Sequence, residues 1–219
     1  MLTAGVLTAL MRATHPEPAV AVTAASGLLA LAFGHPPGSA VLVTATVGAS
    51  QLAVGWANDA VDADRDRAAG RRDKPVATGA VSRRTVAVAA VAAAATTVLF
   101  GYLAGAAAGT VVTVGLVSAL AYNWPLKRTA LSVVPYTVSF AALPAYVVLA
   151  LPGRPPAWLL VAAGLLGAGA HFANVLPDLA DDAATGVRGL PHRPGPAWGR
   201  RSACHSPSSL PLGGASEGS

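Results

Sequence analysis

Two stretches of this sequence repeat one pattern of oxygen-bearing side chains. Asn58, Asp62 and Asp66 lie in "NDAVDADRD", and Asn174, Asp178 and Asp182 lie in "NVLPDLADD". Both read N-x-x-x-D-x-x-x-D. Asp59 and Asp64 add to the first cluster and Asp181 to the second. On a helix, steps of four keep side chains near one face. Asn58 to Asp66 would then cover roughly 12 Å. Carboxylates at this spacing repel one another unless a cation neutralises them. A donor set made only of oxygen selects a hard cation, Mg²⁺ or Ca²⁺. Mg²⁺ commonly takes one or two carboxylates, several waters and substrate phosphates. Two facing strips would therefore hold Mg²⁺ around one diphosphate, with Arg71, Arg72, Lys74 and Lys127 offering further positive charge to its oxygens.

A single Asp-rich cluster is ordinarily a solvated loop. The repetition of the pattern argues against that reading for the pair. A calcium loop also fails. Asp62, Asp64, Asp66 and Asp73 occupy positions 1, 3, 5 and 12 of an EF-hand count, but the sixth position is Arg67, where the turn needs glycine.

The elements that must position these strips are membrane helices. The chain has 219 residues, is 53% hydrophobic and 11% charged, and has a mean hydropathy of +0.54. Soluble domains carry roughly 25% charged residues. Apolar runs predict six spans, at 19–34, 38–57, 85–104, 107–124, 131–151 and 157–177. Each is near the roughly 20 residues needed to cross about 30 Å of hydrocarbon. Their Ala, Gly, Ser and Thr let membrane helices approach closely.

With the N-terminus placed in the cytoplasm, every basic residue except Arg154 falls on the cytoplasmic side. That placement accounts for much of the net charge of +5 without nucleic acid. It also puts both aspartate strips at the cytoplasmic face. The N-terminus has no basic stretch before its apolar residues and does not read as a secretory signal. The single cysteine, Cys204, excludes an internal disulfide framework and a cysteine metal site.

These residues resemble the UbiA family of membrane prenyltransferases. "NDAVDADRD" matches that family's first aspartate-rich motif in full, and "RRDKP" is similar to the basic segment after it. "NVLPDLADD" with "TGVRGLPHR" resembles the second motif. "AYNWPLKRTALSVVPYTVSFAALP" is similar to the stretch after the fourth helix, and "MRATHPEPAV" to the entry of the first. The resemblance covers about residues 10–194.

It implies an all-α, multi-pass transmembrane bundle around a cavity open at the cytoplasmic mouth. It also implies an enzyme, which transfers a prenyl group from a prenyl diphosphate to an aromatic or lipid acceptor with Mg²⁺. By the resemblance, Asn58, Asp62 and Asp66 bind one metal with the diphosphate, and Asn174, Asp178 and Asp182 bind the other. Asp59 fills the motif's second position with its role left open. Lys74, Tyr122 and Lys127 assist with the diphosphate. His171, one turn before Asn174, reads first as a packing residue and second as a proton-transfer group.

The family has about nine transmembrane helices, and this chain supplies about six. Residues 1–194 read as an incomplete prenyltransferase domain. The Ser/Gly/Pro-rich residues 195–219 read as a disordered polar tail produced by a frameshift or truncation. Two other readings compete with the active enzyme. One is an inactive truncated fragment, and the other is a membrane protein that binds or transports cations or anionic lipids. Transporters place such charges near the midplane or in broken helices, whereas these carboxylates fall at span ends.

Overall fold

The computed structural model describes residues 4–175. Among them are seven α-helices: α1 (Ala4–Arg12), α2 (Pro16–Ala32), α3 (Pro37–Ala68), α4 (Arg83–Leu103), α5 (Ala106–Asn123), α6 (Val133–Leu149) and α7 (Ala157–Val175). A 3₁₀ turn, Leu126–Arg128, follows α5. The predicted tail at 195–219 lies outside the described residues.

Each of the six predicted spans is a helix, α2 to α7. Four of them, α3, α4, α5 and α7, are long and apolar enough to cross a membrane. The other two, α2 and α6, are apolar helices of 17 residues. At 1.5 Å per residue each spans roughly 26 Å, the short end of the transmembrane range. Outward-facing Val88, Val91, Leu99, Val117, Val161 and Leu165 are exposed. Large apolar side chains in that position suit lipid rather than water. The bundle is thus an all-helical membrane fold.

Local chemistry sets the helix boundaries. Proline opens α2 and α3, where its missing N–H costs nothing. Ser82 caps α4, its Oγ accepting from the Thr85 N–H at 3.0 Å. In the interior, α3 packs on α2, α4 and α5, and α6 packs on α5 and α7. Val43 and Val47 of α3, Val112 of α5 and Tyr146 and Val147 of α6 share one buried cluster. The Tyr146 hydroxyl donates to Thr46 Oγ1 at 2.9 Å within it.

The structure differs from the sequence expectation in two places. The second span does not stop near residue 57. Its helix runs on to Ala68 and carries the first aspartate cluster out of the apolar region on a rigid rod. Second, residues 4–12 form a short helix that the search for long apolar runs passed over. Val6, Ala9 and Leu10 pack on Ala60 and Ala63 of α3 and Val86 of α4. This contact places α1 at the aspartate-bearing end of the bundle.

Candidate functional site

The helical extension of α3 decides which aspartates face inward. Asp59, Asp62 and Asp66 are 1%, 6% and 4% exposed. Asp64 points to solvent, and Asn58 is half-buried. At roughly 100° per residue, positions 59, 62 and 66 fall within a narrower arc than 58, 62 and 66. Asp59 is therefore the most deeply buried member of the strip, whereas its role was open in the sequence.

Each inward carboxylate is met by a basic group. The chain leaves α3 through Gly70, whose φ of 66° is the left-handed conformation that glycine adopts readily. The Gly70 N–H donates to the Arg67 carbonyl at 3.1 Å, and the Arg71 N–H to the Asp66 carbonyl at 3.0 Å. This paired closure of a helix C-terminus reverses the chain. Lys74 returns along α3 and its Nζ donates to Asp59 Oδ1 at 2.8 Å.

From the other side, Lys127 on the 3₁₀ turn donates to Asp62 Oδ2 at 3.0 Å. Arg65 donates to the same oxygen at 2.9 Å. The end of α5 is seated against α3 by Asn123, whose Nδ2 donates to the Val54 carbonyl at 3.1 Å. Val54 lies one turn before Asn58, so the Lys127 turn is held beside the strip.

One further member of the site was not anticipated. His15 Nε2 lies 2.7 Å from Lys74 Nζ. Lys74 is buried, and its ammonium is bracketed by the Asp59 carboxylate and the His15 ring. His15 occupies the left-handed region at φ 53°, ψ 70°, where non-glycine residues are uncommon. Burial, and next the Lys74 ammonium, push its pKa below the usual histidine range. This direction favours the neutral ring, whose unprotonated Nε2 accepts from Lys74. Only the His-Pro step at 15–16 signalled this residue. Its partner is 59 positions away.

The other expected basic residues lie elsewhere. Arg71 forms a two-pronged pair with Asp73, at 3.0 and 2.9 Å. That hydrogen bonding holds the Asp73 carboxyl down to about 2. Arg72 lines a separate cavity against α1.

Tyr122, in the last turn of α5, is buried. It stands edge-on to Tyr136 at 4.9 Å and to His171 at 5.6 Å between ring centroids. His171 is itself buried, with Nε2 3.1 Å from Ser132 Oγ. These surroundings give it packing and hydrogen bonding within an aromatic cluster. Asn174 is exposed on the last turn of α7. Asp178, Asp181 and Asp182 lie outside the described residues.

The fit of this strip to a hard cation can be read from its donors. Asp59 Oδ2 is a buried carboxylate oxygen that accepts no hydrogen bond from the described residues. Buried polar atoms are ordinarily satisfied, so this oxygen suits a cation. No three His, Cys, Asp or Glu side chains among the described residues gather as a complete metal-holding group. One strip therefore offers a partial set of oxygen ligands. That matches the way Mg²⁺ takes one or two carboxylates and completes its shell with water and phosphate.

The bundle thus carries buried carboxylates at one end of its apolar helices, met there by basic side chains. The sequence matches the UbiA prenyltransferase family over residues 19–214, and the chain belongs to that family. Among curated proteins, no sequence matches it.

Solved structures share the fold. A UbiA homologue from Archaeoglobus fulgidus bound to GPP and Mg²⁺ aligns with TM-score 0.71 at 17% identity, over 84% of this chain and 68% of that one. The same homologue bound to DMAPP and Mg²⁺ gives 0.70 at 17% identity, over 83% and 68%. A digeranylgeranylglyceryl phosphate synthase structure gives 0.70 at 14% identity, over 86% and 69%. At these identities the likeness is one of fold.

Proposed function

We propose that the chain transfers a prenyl group from a prenyl diphosphate to an aromatic or lipid acceptor at the cytoplasmic face of the membrane. The observation that carries this reading is the buried strip Asp59, Asp62 and Asp66, answered by Lys74 and Lys127 at the end of an apolar bundle. A prenyl diphosphate has an apolar tail and a highly charged head. Apolar helices ending in buried carboxylates and ammonium groups provide for both.

Asn58, Asp59, Asp62 and Asp66, with Asn174, Asp178 and Asp182 of the second strip, would hold Mg²⁺. Bound there, Mg²⁺ would neutralise the charge that grows on the departing diphosphate. The binding of prenyl diphosphates with Mg²⁺ by the Archaeoglobus homologue supports this assignment. Lys74 and Lys127 aim preorganised positive charge at the diphosphate oxygens, where it lowers the barrier to departure. Arg71, paired with Asp73, and Arg72, on a separate cavity, leave this charge to Lys74 and Lys127. Tyr122, buried in the last turn of α5 beside Tyr136 and His171, would assist with the diphosphate.

Release of diphosphate from farnesyl or geranylgeranyl diphosphate, in membranes carrying this chain, tests the reading. It should require Mg²⁺ and rise when aromatic or glycerol phosphate acceptors are added. Release independent of divalent metal would refute it.

His15 supplies a second check. Replacing it with Ala removes one of the two holders of the Lys74 ammonium. The KM for prenyl diphosphate should rise roughly tenfold, in line with the loss of a hydrogen bond to a charged group. His15→Gln, which keeps an acceptor, should recover part of that loss. An unchanged KM in His15→Ala would show that Asp59 alone holds Lys74.

A further inference from the structure

At the aspartate-bearing end, a cavity of about 130 Å³ separates α1 from the loop that follows α3. Gly5, Thr8 and Arg12 line it from α1, and Arg72, Pro75 and Thr78 line it from the loop. Most basic residues nearby are already answered. Arg67 and Arg83 both bond Asp64, Arg71 bonds Asp73, and Arg65 bonds Asp62. Arg12 and Arg72 make no ion pair with any described residue. Two exposed guanidinium groups thus border one cavity without a carboxylate between them. Like charges gathered in this way repel unless an anion joins them.

The rest of α1 indicates where that anion comes from. Val6, Ala9 and Leu10 are turned into the protein. Leu7 and Met11, one helical turn apart, are 51% and 58% exposed. At roughly 100° per residue they project about a third of a turn from the face that carries Thr8 and Arg12. The outer side of α1 is therefore apolar on one flank and basic on the other. A helix lying in the membrane interface has this division, with apolar residues toward the acyl chains and cations among the headgroups.

We propose that the cavity between α1 and the α3–α4 loop binds the phosphate of an anionic membrane lipid, with Arg12 and Arg72 as its charge partners. Thr8 and Thr78 line its wall with their hydroxyls already donating to the Ala4 and the Lys74 and Pro75 carbonyls, so the two guanidinium groups supply the donors. Leu7 and Met11 lie against the acyl chains. The lipid would fasten α1 to the loop that carries Lys74. Binding here is separate from the carboxylate strip and needs no divalent metal.

The test titrates the detergent-solubilised full chain, without Mg²⁺, with short-chain phosphatidylglycerol, short-chain phosphatidylcholine and inorganic phosphate. Binding would be read by native mass spectrometry and by thermal stabilisation. Phosphatidylglycerol should bind in preference to both of the others. Arg12→Gln and Arg72→Gln should each weaken it roughly fivefold, the value of one basic residue near an anionic surface. Arg84→Gln, an exposed arginine outside the cavity, should leave it unchanged. Equal binding by the Arg12→Gln/Arg72→Gln double variant, or equal weakening by Arg84→Gln, would overturn the site. Inorganic phosphate binding as strongly as phosphatidylglycerol would overturn the lipid assignment. A far-UV circular dichroism spectrum matching wild type shows that the variants are folded.

Discussion

Replacing Asp62 with Ala should lower Mg²⁺-dependent diphosphate release by about a thousandfold or more. Electrostatic groups that stabilise developing charge commonly carry effects of 10²–10³ each, and Asp62 serves two purposes here. It is a member of the proposed metal strip, and its Oδ2 accepts from both Lys127 and Arg65. Removing it leaves two largely buried cations facing one another. Breaking a buried pair by removing one partner costs about 3–5 kcal/mol. The 3₁₀ turn that carries Lys127 should then move away from α3, and diphosphate affinity should fall with turnover. Asp64→Ala is the control. It removes the same charge from the same helix, but its side chain is exposed and, among the described residues, bonds Arg67 and Arg83. Release should stay within about twofold, the usual range for surface substitutions. Equal losses from both variants would mean that the strip acts only through net charge. Assaying the two side by side in membranes, with expression matched, separates these outcomes.

The second large effect should come from a residue with no charge at all. Gly55 lies in α3 against the junction of α1 and α2. A Cβ there would stand 2.6 Å from the Thr14 carbonyl oxygen and 2.9 Å from both Thr14 C and Cα. All three are backbone atoms, so no side-chain rotation relieves the clash. Gly55→Leu should push the junction off α3. His15 follows Thr14 directly, so its ring would leave Lys74 Nζ. Overpacking of this kind costs about 1–3 kcal/mol. The expected outcome is a lower unfolding temperature in detergent, together with a prenyl diphosphate KM raised at least as far as in His15→Ala. Gly38→Ala, where an added Cβ meets nothing within 4 Å, should leave both unchanged. A Gly55→Leu protein with wild-type stability and KM would show that the junction is not fixed by this contact.

Much of this arrangement was legible in the sequence because membrane helices declare themselves by length and polarity. The six apolar runs became α2 to α7, with boundaries shifted by a few residues except at the end of α3. The end of α3 was less legible, because hydropathy marks where lipid stops and not where a helix stops. The four-residue steps put Asn58, Asp62 and Asp66 near one face, and of these Asp62 and Asp66 are buried while Asn58 is half-buried. The burial of Asp59 was not legible because the finer angular argument for it depends on the helix continuing unbroken to Ala68. The short α1 escaped a search for long apolar runs. Its signal was an amphipathic pattern with Leu7 and Met11 on one flank and Thr8 and Arg12 on another. Lys127 was named as a source of positive charge for the diphosphate, but its pairing with Asp62 across 65 positions is a product of tertiary packing. The same holds for His15 and Lys74. Arg71 and Arg72 were grouped with Lys74 by proximity in sequence. The reversal at Gly70 sends them to other neighbours.

In the proposed function, the two aspartate strips hold one metal–diphosphate head between them. Binding of a farnesyl thiodiphosphate, which resists ionisation, tests it without depending on turnover or on the acceptor. The affinity of the purified chain would be measured with Mg²⁺ and with chelator, for the wild type, Asp62→Ala and Asp178→Ala. Tight binding is expected only with Mg²⁺, and each variant should lose that Mg²⁺ dependence. Binding that ignores Mg²⁺, or that survives removal of either aspartate, would contradict it.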